Sequence, residues 1–220
     1  MNRALLKQNA KDSLSGHYAE AILVFVVSNA IIGTANFILG FVLGLSSVMF
    51  DLNEDIVNLI SNGTSGIISI IINGLLALGM TSFYLKLSRK QEVNFNELFS
   101  KTKMFGLYVV TTLLIGLFTA LGFILLIIPG IIVSIGLSQT YYILLDNPEI
   151  DPMDAIKKSW NLMKGHKMEY FVLQLSFIGW LILGIFTCGI LYFWLTPYMY
   201  VTYANYYNYL KDENNYNVIQ

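Results

Sequence analysis

Long apolar stretches alternate with short polar ones, the apolar ones running from Ala21 to Phe50, Ser65 to Leu85, Phe105 to Leu145 and Tyr170 to Leu210. Each reaches or exceeds the roughly 20 residues with which a helix crosses about 30 Å of hydrocarbon, and the last two are about double that length. Each of those two holds one break suited to a hairpin. The first is Pro129-Gly130, a strong turn pair. The second is Thr187-Cys188-Gly189, where glycine permits the backbone angles of a tight turn. The pattern predicts an all-α polytopic bundle of six membrane-spanning helices at about 20–45, 65–86, 105–127, 130–146, 169–187 and 190–209, arranged as three hairpins.

The polar connections carry helix signals of their own. Asp151 suits an N-cap, Pro152 the first helical position, and Asp154 the first turn. Met153, Ile156, Trp160 and Met163 then form one apolar stripe closed by Gly165. Such a helix is expected to lie along the headgroups with Trp160 at the interface. Asn94 and Glu97 form a capping-box-like pair around Phe95, Leu98 and Phe99. Leu6, Ala10 and Leu14 make a thinner stripe near the N-terminus. Each hairpin is thus expected to follow a short cytoplasmic amphipathic helix. An external insertion at about 46–64 is expected to form a further helix, capped by Asp51 and Glu54, resting Val57, Leu59 and Ile60 on the membrane and ending at Gly63.

The hairpins also resemble one another. Leu14-Ser-Gly-His17 with Glu20 aligns with Met163-Lys-Gly-His166 with Glu169, and Phe99 to Met104 forms a fainter third copy. Each second span ends in Tyr-x-x-Leu: Tyr84 to Leu87, Tyr142 to Leu145 and Tyr207 to Leu210. A single integral membrane domain, 1–220, built from repeats at 1–90, 91–148 and 149–212, is the reading this supports.

Composition agrees with a membrane solvent: 55% of residues are hydrophobic and 12% charged, where soluble chains average about 25% charged. All 13 Lys and Arg residues fall on one side of the six-span pattern, which predicts cytoplasmic N and C termini of a multi-pass cell-membrane protein. A net charge of −1 gives no reason to expect a nucleic-acid partner. The first apolar run is longer than the h-region of a cleaved leader and is read as a retained span. One cysteine, Cys188, leaves no internal disulfide or cysteine-rich metal site.

Polar positions inside the spans are the candidate binding residues. Asn29, Gly33, Asn36, Gly40 and Gly44 share one face of the first span, and Asn73 and Gln174 lie in the second and fifth. Helix packing explains small and amide residues there; a polar cavity lined by Asn29, Asn36, Asn73 and Gln174 is the alternative. His17 with Glu20, and His166 with Glu169, stand at i, i+3 on one helix face, a spacing that binds metals in some bundles. At the cytoplasmic edge they read instead as interfacial caps, so no metal, cofactor or catalytic group is expected. No ionisable residue lies in the middle of any span, which argues against a pump and against an enzyme. Pro197 interrupts the sixth span and predicts a kink near Phe193; an interfacial aromatic belt is the reading of the tyrosines around it, with an interior surface beside the kink the alternative for Tyr198 and Tyr200.

Several stretches resemble a family of bacterial integral membrane proteins grouped as DUF975. They are Arg3 with Lys11, Leu14 and Gly16; Ile127-Ile-Pro-Gly-Ile131; Asp146-Asn-Pro148; Ala155 to Lys167; Leu175-Ser-Phe-Ile-Gly-Trp180; Thr187-Cys-Gly-Ile190; and Pro197-Tyr198. The resemblance implies a polytopic protein of the bacterial cell membrane and carries no activity with it. The expected function is non-enzymatic, exerted through membrane lipids or other membrane proteins docked on the cytoplasmic helices; the alternative is a channel or carrier for a neutral or amphiphilic solute.

Overall fold

The computed structural model describes the backbone of residues 2–49 and 53–219, and the side chains within them except 47, 48, 54, 56, 57, 60–62, 64–71, 73, 75 and 215–219. Every regular element among the described residues is helical. In chain order they are α1 (Arg3–Leu14), α2 (Tyr18–Met49), α3 (Glu54–Ser88), two 3-10 turns (Phe95–Phe99 and Thr102–Met104), α4 (Phe105–Leu125), α5 (Ile127–Gly136), α6 (Thr140–Asp146), α7 (Pro152–Leu162), α8 (Lys167–Phe186) and α9 (Tyr192–Ile219).

Four stretches of the described residues are long and apolar enough to cross a membrane: Tyr18–Ser46, Phe95–Leu125, Ile127–Asp146 and Lys167–Phe186. Their outward faces are apolar. Phe37, Ile124, Leu125 and Phe186 are each more than 70% exposed, a surface that marks a membrane contact rather than a water-facing shell. Much of the apolar segment of α3 falls among side chains outside the described set. The α9 helix is less apolar because tyrosines and asparagines fill it. Its position explains why that is tolerated: α9 supplies Val201 to one buried cluster, Leu195, Tyr206 and Leu210 to a second, and Ala204 and Tyr207 to a third. The part of α9 enclosed by its neighbours needs no lipid-compatible face, while Phe193 and Trp194 near its start are exposed.

The structure moves several expected boundaries. The turn between α4 and α5 sits at Leu126, which is extended, rather than at Pro129-Gly130. Pro129 takes the third position of α5, where its missing N–H would have no partner within the helix. Gly130 is then free to pack against Gly122 and the Phe123 ring. The expected continuous span at 130–146 is broken between α5 and α6. By contrast, the external segment and the second span are one helix. Gly63 lies inside α3, the cap is Asn53, whose side chain accepts from Asp55 N at 2.8 Å, and Asp51 lies outside the described residues.

The short segments expected to lie at the interface dock into the bundle. On α7 the Asp151 cap and Pro152 stand as expected, but the buried face is Ala155, Ile156, Ser159 and Met163, while Trp160 is 37% exposed with its ring 3.1 Å from Lys167 Nζ. On α1, Leu6, Ala10 and Leu14 are buried as the stripe predicts. Between α3 and α4 the chain forms a 3-10 turn, and Glu97 does not close a capping box. It accepts from Ser82 Oγ at 2.6 Å and Lys86 Nζ at 2.7 Å, tying the turn to α3, while Asn94 alone caps the turn at Asn96 N. Phe99, aligned in sequence with buried Met163, is exposed, and Leu98 is buried instead. Gly33 and Gly40 meet no described atom within 4 Å of where a Cβ would stand, so this part of the α2 stripe does not form a described packing seam.

The closest approach of α3 to the 3-10 turn is at Gly79, where a Cβ would overlap the Leu98 carbonyl. Replacing Gly79 with Ala should lower stability by about 2 kcal/mol, the usual range for overpacking. Gly106→Ala, at a helical site with open space around it, should be neutral or stabilising. Thermal unfolding of the two variants in the same detergent measures the difference.

Candidate functional site

The ends of α3, α6 and α9 converge on one carboxylate. Helix α3 stops because Lys90 adopts φ 54, with Lys90 N donating to Leu87 O and Gln91 N to Lys86 O, each at 3.0 Å. This aims Arg89 at the end of α6. Its Nη1 and Nη2 donate to Asp146 Oδ1 and Oδ2 at 2.8 and 2.9 Å, a bidentate pairing. Tyr207 Oη and Lys211 Nζ, from α9, donate to the same Oδ2 at 3.0 and 2.7 Å. Arg89 Nε also donates to Asn208 Oδ1, and Asn208 Nδ2 to Ser88 Oγ, both at 3.0 Å. The hydrogen bonds to Asp146 hold the Arg89 guanidinium above its ordinary pKa.

Position in the chain gives this cluster a pattern. Ser88, Asp146 and Lys211 each stand four residues after the tyrosine of a Tyr-x-x-Leu end, Tyr84, Tyr142 and Tyr207. All three tyrosines are buried. Tyr142 stacks on Tyr207 at 5.2 Å, and Tyr84 stacks on Tyr200 at 5.0 Å while donating to Ala21 O at 2.9 Å. A polar recess of about 490 Å³ adjoins the carboxylate, with Asp154, Lys157, Lys158 and Asn161 of α7 on its other wall. Charges of both signs line it.

A second polar group fills the break between α5 and α6. Ser159 of α7 donates from Oγ to Gly136 O at 2.9 Å and accepts from Gln139 N at 3.2 Å. One hydroxyl thereby satisfies an acceptor and a donor that the broken helix would leave bare. The Gln139 amide donates to Ser138 Oγ at 2.7 Å, and its Oε1 is buried without a hydrogen-bonding partner. The hydroxyl of Tyr170 on α8 faces Ser138, Gln139 and Gln174.

The sequence candidates fall in different places. Asn29 Nδ2 and Asn36 Nδ2 each donate at 2.8 Å to the carbonyl four residues back, Phe25 O and Ile32 O, within α2. Asn73 has its side chain outside the described set, and Gln174 belongs to the Tyr170 group on α8. Asn29, Asn36 and Gln174 do not line the recesses described for this structure. His17 and Glu20 are exposed at the start of α2. His166 Nδ1 lies 3.2 Å from Glu169 Oε2 and its Nε2 4.0 Å from Glu213 Oε2. Tyr200 does face the interior, and Tyr198 packs edge-on against Phe177 at 5.5 Å. Sequence reasoning passed over Arg89, Asp146, Gln139 and Ser159. The signal for Asp146 was its spacing from Tyr142, which matches that of Lys211 from Tyr207.

Residues 120–214 match the family described as "Protein of unknown function (DUF975)". That segment holds α5 to α8, the Asp146 carboxylate with its α9 partners, and Ser159, so the likeness read from the sequence holds over this part of the chain. No curated protein and no solved structure matches the chain.

Removing one partner of this cluster should be costly in proportion to burial. Asp146→Ala leaves Arg89 and Lys211 facing each other and should cost about 2 kcal/mol, whereas Lys211→Met, at a half-exposed ammonium, should cost under about 1 kcal/mol. Ser159→Ala should cost about 1 to 2 kcal/mol through the two bare backbone groups. Denaturant-induced unfolding in mixed micelles ranks the three variants.

Proposed function

We propose that this chain is a six-span, multi-pass protein of the bacterial cell membrane with both termini in the cytoplasm. In this reading it is not an enzyme and acts through membrane lipids or neighbouring membrane proteins. Four apolar stretches supply four spans directly; α3 and α9 complete the six, α3 by its length of 35 residues and α9 by lying inside the bundle. The three-unit organisation, 1–90, 91–148 and 149–212, belongs to the same proposal. Its support is local: Gly16 and Gly165 adopt φ 86 and 87, Leu14 and Met163 beside them are fully buried, and His17 N and His166 N donate to Leu14 O and Met163 O at 2.9 and 3.1 Å.

The observation that carries the functional part is a groove of about 390 Å³ between α4, α5 and α7. Phe118, Val133, Leu137, Met153, Ile156 and Trp160 make it mostly apolar, with Lys157 and Asn161 also in its lining. An acyl chain or an apolar segment of a membrane neighbour fits such a lining, while a soluble polar substrate does not. The docking surface is thus the flank of α7 rather than its whole length, because Ser159 and Met163 are committed to the bundle.

A photo-crosslinker placed at Trp160 in living cells should capture lipid or a membrane protein, and one at exposed Phe99 should do so less well. Capture of neither at Trp160 would refute the docking reading. Cys188 tests topology: it is exposed in the α8–α9 turn at φ 50, so a membrane-impermeant maleimide should label it from outside intact cells, and labelling only after lysis would invert the orientation.

A further inference from the structure

We infer that the seam between α1 and α8 binds the phosphate headgroup of an anionic phospholipid, admitted sideways from the bilayer. The inference rests on the membrane placement proposed above and names the lipid chemistry that one flank selects. Lys7 Nζ donates to Ser176 O at 3.3 Å and sits 4.2 Å from the Phe177 ring centroid. Ser176 is the tenth residue of the 20-residue α8, so at about 1.5 Å per residue this ammonium stands roughly 15 Å from either end of the helix. Lys11 Nζ lies 5.9 Å from the Tyr198 ring. A helix outside the spans thus brings one cation, Lys7, to the middle of the length of α8.

The surroundings select an anion. A recess of about 430 Å³ holds Lys7, Lys11, Gln8, Tyr18 and Tyr198, with Trp180 and Trp194 on its lipid-facing side. No carboxylate lines it, and neither ammonium meets one among the described residues. The nearest acid on the same helix, Asp12, accepts from Gln8 Nε2 at 2.9 Å. Burial, together with repulsion from Arg3 and Lys11, lowers the pKa of Lys7. Lys7, half-buried beside the Ser176 carbonyl, and Lys11, exposed, thus present two cations to a recess whose wall holds no carboxylate. Further openings lie along the same seam, one lined by Asn2, Arg3, Lys7 and Ser176 and one by Arg3, Met168, Glu169 and Val172, so the carboxylate-free part of the seam is the stretch around Lys7 and Lys11.

A phospholipid supplies what this site lacks. Its phosphate oxygens accept from Lys7 and Lys11, and its acyl chains run along Trp180 and Trp194, both about half exposed. A soluble phosphate ester would bring the charge without the apolar tail for which the tryptophans are placed. The recess stands apart from the α7 groove, since no residue lines both.

The native tryptophans make the test direct. Full-length protein carrying Trp160→Phe keeps only Trp180 and Trp194, and is reconstituted in phosphatidylcholine vesicles containing brominated phosphatidylglycerol or brominated phosphatidylcholine. Each cation near an anionic lipid is worth about fivefold in binding, so with two cations brominated phosphatidylglycerol should quench at a mole fraction lower by about 25-fold. Lys7→Gln with Lys11→Gln should abolish the preference, and Lys7→Arg with Lys11→Arg should keep it. The pair Lys157→Gln and Lys158→Gln should also keep it. Equal quenching by the two lipids, or a preference unchanged in the double Gln variant, overturns the inference while leaving the membrane reading intact. Absence of quenching by either lipid overturns the membrane reading as well. Glycerol phosphate added at millimolar concentration should not relieve the quenching; relief would assign the site to a soluble anion and overturn the lipid assignment.

Discussion

A single carboxylate does most to hold the far ends of this bundle in register. Helices α3, α6 and α9 come from separate thirds of the chain, and Asp146 binds side chains from the other two ends within 3.0 Å. Such a contact fixes direction as well as distance, because a guanidinium fork and a carboxylate pair in one plane. Stacked tyrosines directly behind the charges extend the constraint inward, so the ionic layer and the apolar layer specify the same register.

A comparable economy governs the middle of the structure. Breaking α5 from α6 exposes backbone groups where hydrocarbon offers no replacement, and Ser159 answers both with one hydroxyl. That role explains why α7, which by its own stripe should float at the headgroups, is drawn into the bundle. Trp160 is left outside over Lys167, where it walls the apolar groove.

The helical class and the membrane-length stretches were legible because hydrocarbon thickness imposes a length that no other constraint mimics. Caps were legible too: Asp151 accepts from Met153 N, as its type and place predict. What stayed hidden was decided by tertiary partners. Pro129 looks like a turn, yet a proline early in a helix lacks only an N–H that had no partner, so the true turn moved to Leu126. Gln139 carries no local sign of a break, since its backbone is satisfied by a residue 20 positions away. Counting charges span by span likewise missed Lys7, which reaches the depth of Ser176 from a helix that spans nothing. Of the candidate residues, Gln174 joins a buried polar group, while Asn29 and Asn36 spend amide protons on their own helix, an option any single sequence leaves open.

Because α9 donates side chains to each of the three buried clusters of the described residues, the mast of the bundle leaves the ribosome after the helices it grips. The earlier helices are made before the surface they finally grip exists, and Arg89 and Asp146 wait for Tyr207, Asn208 and Lys211 to be synthesised. The register of the bundle is therefore set late, when the helix that these clusters share emerges to meet the ones made before it.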